Sequence, residues 1–415
     1  MPPKRKKGSR ISAEKSSHAN GDEDEVASVS SSISETLCDV AEDELDSKPS
    51  DGVEIDDGDE LETALVEHVE NLSNKNARIR ESALLALKKI LAKKCLSESL
   101  QTRKETFVDA LEKCLKKGRH GDVVLSAIVS ALLCIQLGSG PEVESLFSTI
   151  KSLLVAMVQD GALQSQMRAS CANALGLITF ISVDDMRVVS EVMELMEKVL
   201  ATKTQPEILV EAISTWCLLL SIVPSYKDKI KRLFPMMVKL LMSADVALRI
   251  VAGECLAMLY ERIRESDEDE EEEFVSETVE EDMMETLQQL ATDGSKHRSK
   301  KDRKQQRSSF RDVLRTIEEG ESIYESHKFG LETLEIDSWA RRRQFFALKD
   351  VLGFGINAHL KENDIMREIF QLGPPVLSAS SGVSRQDRRQ QRHHNAMLAK
   401  ARRIDRQKHR DKRCS

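Results

Sequence analysis

The chain has 415 residues, of which 32% are charged and 4% aromatic, and carries a formal net charge of −9. That length suggests roughly two to four domains of about 100–200 residues each. Few aromatics beside dense Leu, Ala, Val, Ile and Met exclude a β-sandwich or barrel as the main architecture and fit packed helices.

The longest apolar run, Val123 to Ile135, is interrupted by Ser and falls short of the ~18 residues of a membrane span. The opening Met-Pro-Pro-Lys-Arg-Lys-Lys lacks the apolar stretch of a secretory signal. Eight Cys lie far apart without a CxxC pair and read as small core residues of a reducing compartment. A soluble, intracellular protein is the expectation, with no membrane partner and no small-molecule substrate. Charge is unevenly divided. Residues 1–295 hold 33 Lys+Arg against 54 Asp+Glu, whereas residues 296–415 hold 28 against 16. An acidic body is thus joined to a basic segment suited to nucleic acid or an acidic partner.

Residues 1–58 combine a basic tip, Lys4 to Lys7, with Ser and acidic residues. They hold too little apolar content to offset ordering entropy, so disorder is expected. The basic tip reads as a nuclear import signal, a polyanion contact or a solvated terminus.

Residues 59–264 read as amphipathic helices in a repeating register. From Arg80, offsets of three, seven and ten residues give Ala83, Leu87 and Ile90. From Val124 they give Ala127, Ala131 and Cys134, and from Arg168 they give Cys171, Leu175 and Ile178. Leu209 leads to Ala212, Trp216 and Leu219, and Arg249 to Ala252, Leu256 and Leu259. These offsets share one helical face, and the small residue at the first lets helices approach closely. Origins 40–44 residues apart are the signature of an armadillo/HEAT-like α-solenoid. Such an array presents an extended concave surface to partners. It is expected to fold without the chain's basic end.

Residues 265–307 read as a linker, first acidic and then basic. Asp267 to Glu273 is an unbroken acidic run, and Lys296, Arg298, Lys300, Lys301, Arg303, Lys304 and Arg307 follow. Residues 308–375 regain helical periodicity as a small module packed on the end of the array. Phe310, Val313, Leu314 and Ile317 form one stripe closed by Gly320. Trp339, Phe345, Phe346, Leu348 and Leu352 form a second after Asp337 or Ser338, either of which caps it. Ile365, Ile369 and Leu372 follow Asn363, before Gly373-Pro374-Pro375 stops the helix. Arg341, Arg342 and Arg343 read as a helix surface paired with Glu332 or Glu335.

Residues 376–415 read as a long basic terminal helix. Ser384 and Asp387 resemble a capping box. Twelve cations follow against three acids: Arg385, Arg388, Arg389, Arg392, Lys400, Arg402, Arg403, Arg406, Lys408, Arg410, Lys412 and Arg413. Ala396, Met397, Ala401 and Ile404 give only a thin apolar strip. With no face to bury, this helix should be exposed or ordered on a partner.

Chemistry is hard to find. There is no Walker loop, GxSxG or HExxH, and Gly353-Phe354-Gly355 lacks both a third glycine and a preceding strand. His393, His394, His409 and Cys414 lack zinc-ligand spacing and sit among cations. The expected protein is not an enzyme, and no cofactor or metal is expected.

The runs SFRDVLRTIEEGE, LEIDSWARRRQF and AHLKEND, with the closing LGPP, resemble the carboxy-terminal domain of the interferon-related developmental regulator family. The helical repeats and basic tail are similar to that family in layout. The resemblance implies two readings. In one, the protein binds translationally inactive ribosomes, with the terminal helix in space that mRNA and tRNA would use, its twelve cations from Arg385 to Arg413 as the candidate RNA-phosphate contacts and Arg341, Arg342 and Arg343 as a second candidate. In the other, it is a nuclear transcriptional co-regulator that recruits co-repressor proteins on the solenoid surface. A thin helix with cations on most faces suits a channel walled by phosphate, which favours ribosome binding. The expected location is cytoplasmic and nuclear.

Overall fold

The computed structural model describes residues 57–224, 227–265, 277–293 and 299–375. The expected N-terminal tail up to residue 56 and the segment 376–415 lie outside these residues. Fourteen longer and shorter helices open the described chain, and twelve of them stack as six pairs. The pairs are α1 (Asp57–Asn71) with α2 (Ala77–Lys93), and α4 (Lys104–Lys117) with α5 (His120–Leu137). Next come α7 (Ser148–Gln159) with α8 (Ser165–Ser182), and α9 (Met186–Leu200) with α10 (Pro206–Leu220). The last are α11 (Lys227–Leu240) with α12 (Val246–Glu265), and α13 (Glu277–Thr292) with α14 (Lys300–Glu319). Short helices α3 (Ser97–Gln101) and α6 (Pro141–Leu146) sit in the links.

Local sequence sets the helix starts. Asn76, Asp185 and Ser299 each accept a backbone N–H of the first turn, at 3.0, 2.9 and 3.0 Å, and so cap α2, α9 and α14. Pro206 occupies the first turn of α10, where its missing N–H costs nothing. At the far end of α14, Gly320 takes the left-handed conformation with φ of 70°.

The repeat register lies on the second helix of each pair, and α2, α5, α8, α10, α12 and α14 stack in that order. Ala83, Ala127, Cys171, Ala212 and Ala252 are all buried, as are Leu87, Ala131, Leu175, Trp216 and Leu256. At the third offset, Cys134, Ile178, Leu219 and Leu259 are buried and Ile90 is half-buried. Close approach is visible at Gly176, where a Cβ would lie 2.7 Å from Thr215 Cγ2 on α10. All-α is the correct class, and the array is an α-solenoid. Helix α5 is long and apolar enough to cross a membrane, but its neighbours in the stack bury most of it.

Two expectations need correction. The interval 265–307 is not a plain linker, because α13 and the first eight residues of α14 lie in it. The array therefore runs to residue 319 with a sixth pair. Gln306 is its origin, with Ser309, Val313 and Thr316 buried at the same three offsets. It follows Arg249 by 57 residues rather than about 40, since the acidic run is inserted between α12 and α13. The module after the array is also not wholly helical. Strands β1 (Glu325–Phe329) and β2 (Glu332–Ile336) pair antiparallel across Gly330-Leu331, with Gly330 at φ of 58°. A glycine first in a two-residue loop is the ordinary hairpin choice. Helices α15 (Trp339–Leu352), α16 (Ile356–Glu362) and α17 (Asp364–Ile369) follow. Ser338, rather than Asp337, caps α15, and Asn363 caps α17. Met366 and Phe370 are fully buried, while Ile365, Ile369 and Leu372 pack at its margin.

Ala252 is fully buried on α12, which packs between α10 and α14. Replacing it with Phe should overpack that contact and lower stability by about 1–3 kcal/mol, measured by denaturant unfolding. Unchanged stability would refute the register.

Candidate functional site

The concave surface that the sequence offers to partners is occupied by the chain itself. After α14 the hairpin turns back, and α15 crosses α12, α10, α8, α5 and α2 in succession. This is not a module on the end of the array. It lines the groove.

At the C-terminal end of the groove, Trp339 anchors α15. Its ring N–H donates to Thr316 Oγ1 at 2.8 Å, and its backbone N–H donates to Glu261 Oε2 at 2.8 Å. The next turn brings Arg342, which is buried and bonded to Glu325 Oε1 at 2.9 Å and Glu254 Oε1 at 3.0 Å. Its guanidinium lies over the rings of Trp339 and Phe346, 5.0 and 5.2 Å from their centroids. Arg343 donates to Ser214 Oγ at 3.3 Å, and Gln344 donates to Ser221 Oγ at 3.0 Å, both on or just past α10. Arg341 pairs with Asp337 at 3.9 Å. The Arg341–Arg343 triplet is therefore spent on the groove and its flank, and its acids are Asp337, Glu254, Glu325 and Asp350. Glu332 instead holds the buried Arg367 at 2.8 Å.

At the N-terminal end, His359 Nε2–H donates to Leu91 O at 3.1 Å, and Asn363 Nδ2 donates to Ile135 O at 3.0 Å. Those carbonyls belong to the last turns of α2 and α5, where no intrahelical donor is available. Asn363 Nδ2 also lies 3.3 Å from His359 Nδ1, so the imidazole accepts there and carries its proton on Nε2. Burial lowers the His359 pKa, which keeps the ring neutral. Between α16 and the groove helix, the turn Gly353–Gly355 sits on α2. A Cβ on Gly355 would lie 1.7 Å from Ala92 O, so only glycine allows this approach.

None of this was legible as a site. A His and an Asn four residues apart, flanked by Leu360, were the available signal. The cavity beneath α15, lined in part by Cys217, Cys255 and Met258, holds about 20 Å3, space for a single water. Among the described residues no cluster of His, Cys, Asp and Glu is arranged to hold a metal. Burial pushes the thiols of Cys134 and Cys171 up to about 12, as befits core residues. The twelve candidate RNA contacts, Arg385 to Arg413, lie outside the described residues, as do His393, His394, His409 and Cys414.

The fold defines a helical-repeat scaffold whose groove is closed by its own C-terminal segment. Residues 26–318 match the profile of the interferon-related developmental regulator, and residues 363–414 match that of the interferon-related protein conserved region. Mouse interferon-related developmental regulator 2 is 40% identical over 85% of this chain and 83% of its own length. Human interferon-related developmental regulator 1 is 37% identical over 86% and 81%. A designed armadillo repeat protein superposes with a TM-score of 0.41 at 16% identity, covering 61% of this chain and 99% of its own. The chain belongs to the interferon-related developmental regulator family.

Two predictions test the groove. Asn363→Ala removes a donor from a buried carbonyl and a helix cap, so it should cost about 2–4 kcal/mol in urea unfolding. The exposed neighbour Asp364→Ala should change stability by less than about 0.5 kcal/mol. The second concerns pH. Burial, reinforced by the charge of Glu265, raises the Glu261 carboxyl to about 8. An acid with a raised folded-state pKa favours the folded state fully below its unfolded value near 4.3, and that contribution is lost as pH rises towards 8. His359, held neutral by burial, contributes in the opposite sense below about 6.5, so the effect is read as a difference. The stability of the wild type relative to Glu261→Gln, which keeps an acceptor for the Trp339 N–H, should fall between pH 5 and 8.

Proposed function

We propose that this protein is a non-enzymatic regulator that binds translationally inactive ribosomes through its basic C-terminal segment and represses translation. One observation carries the reading. Between Arg385 and Ser415 the sequence places twelve cations against three acids, on a chain whose first 295 residues are strongly acidic. Such a segment gains affinity by releasing counterions from phosphate, and it reads no base sequence by itself. All twelve cations fall within residues 363–414, so the family region includes them rather than ending before them.

The closed groove bears on the other reading. Recruitment of co-repressor proteins through the concave face would have to displace α15 with its buried Arg342, and the His359 and Asn363 that pair with carbonyls of α2 and α5. Recruitment by the outer row of helices needs no such change. In the ribosome reading the protein acts in the cytoplasm, and Lys4 to Lys7 provide a route to the nucleus.

The test is repression in a cell-free translation reaction. Wild-type protein should repress, and a chain lacking residues 384–415 should not, while its melting curve stays that of the wild type. Equal repression by both would overturn the reading in favour of co-regulation. Binding of the wild type to purified ribosomes should weaken with salt with a log–log slope of roughly −4 to −5, for about six phosphates neutralised.

A further inference from the structure

The sixth helix pair carries a feature that the fold does not use. On α14 the buried residues Gln306, Ser309, Phe310, Val313, Thr316 and Ile317 form one face. Opposite them run Lys300, Lys304, Arg307, Arg311 and Arg315, at successive intervals of four, three, four and four residues. That spacing keeps all five on one stripe, about 22 Å long at 1.5 Å per residue. Lys300, Lys304, Arg311 and Arg315 are exposed, and Arg307 is half-buried.

Several Arg side chains elsewhere are committed. Arg80 and Arg249 bond carbonyls of links, Arg168 and Arg264 bond carbonyls of helix last turns, and Arg342 and Arg367, beyond the array, are buried in ion pairs. On the stripe, Arg315 alone has acids within 4 Å, Asp312 at 3.9 and Glu321 at 3.8 Å. Lys300, Lys304, Arg307 and Arg311 form no ion pair among the described residues. As the last pair described, α13–α14 has no seventh pair stacked on it, and a terminal repeat needs a polar outer face. That requirement is met by mixed charges. A single sign held over four turns, on an acidic body, adds self-repulsion without adding solubility.

We infer that this face of α14 is a second phosphate-binding surface, one that engages the backbone of double-helical RNA independently of the C-terminal tail. Lys and Arg on an exposed helix contact phosphate oxygens without demanding a base sequence, and structured RNA is recognised largely through its backbone and shape. The inference takes its choice of RNA from the ribosome reading above; the surface itself stands on the geometry of α14.

The experiment uses four full-length chains and a 24-base-pair RNA duplex, with affinity measured by fluorescence anisotropy between 50 and 200 mM KCl. The chains are wild type, a tail variant with its twelve cations replaced by Gln, the triple variant Lys304→Glu/Arg307→Glu/Arg311→Glu, and the combination. All three stripe substitutions point away from the buried face, and melting curves confirm that each chain is folded. The tail variant should still bind, with a log–log slope near −3 for three or four phosphates. Adding the triple reversal should reduce its affinity at 50 mM salt at least tenfold and flatten the slope by about two. A tail variant that does not bind the duplex would overturn the inference, as would a triple reversal that changes neither affinity nor slope. Displacement of the duplex from the tail variant by poly-glutamate as effectively, per charge, as by unlabelled duplex would assign the face to acidic proteins instead. The two readings fail separately. Loss of translational repression in the tail variant supports the tail, whereas the stripe is judged only by RNA binding in the chain that lacks tail charge.

Discussion

A stack of helices buries the ends of its members, and a buried helix C-terminus leaves carbonyl oxygens that its own turns cannot satisfy. That constraint runs through this protein. Arg80 and Arg249 each bond the carbonyls of the link that precedes their own helix, at Asn74 and Lys75 and at Ser243 and Ala244. Arg168 holds Val158 O with two nitrogens, at 3.0 and 2.9 Å. Gln136 bonds Leu91 O and Lys94 O, and Arg264 bonds the carbonyls of Thr316 and Ile317. His359 and Asn363 complete the set from the other end of the sequence. A charged or amide side chain that satisfies such an oxygen contributes about 1–3 kcal/mol, mostly by removing the penalty of leaving it bare. Packing brings the helices together, and these donors allow their ends to be buried.

Charge complementarity then decides what fills the groove. Glu254 faces it from α12, and the segment that enters carries Arg341, Arg342, Arg343 and Lys349. Arg342 is buried because every part of it has a partner: two carboxylates for its N–H groups and two aromatic rings for its faces. Removal of Glu254 or Glu325 would leave a buried charge only partly compensated, which is more costly than the pair is stabilising. The groove is thus built around its occupant.

How much of this was legible depended on the range of the interaction. Helix-by-helix, the small residue at offset three and the apolar residues at seven and ten are local, and they placed α2, α5, α8, α10 and α12 correctly. The sixth copy obeys the same rule through Ser309, Val313 and Thr316, but the acidic insertion moved it out of period. Its polar origin, Gln306, looks like linker until Arg249 is seen bonding it at 2.6 Å. The hairpin was missed because Gly330-Leu331 is a short signal between strands of only five residues each. The closed groove could not be read at all. Arg343 and Ser214, or Asn363 and Ile135, are brought together by the curvature of the whole array, which no window of sequence contains. The tail is the reverse case, since its meaning is compositional and needs no fold.

Filling the groove also changes how such a chain must be made. An array of helix pairs folds from contacts between neighbours, and so it can be completed pair by pair as the chain emerges. Here the first two pairs are closed by residues 268 and 228 positions further along. At about 5–20 residues per second, synthesis of that interval takes roughly 15–50 s. Throughout it the ends of α2 and α5 wait uncovered, and the acidic wall of the groove stands open beside other unfinished chains. A segment from a neighbouring copy would satisfy the same carbonyls as the chain's own, so this architecture is open to exchange of residues 321–375 between two copies.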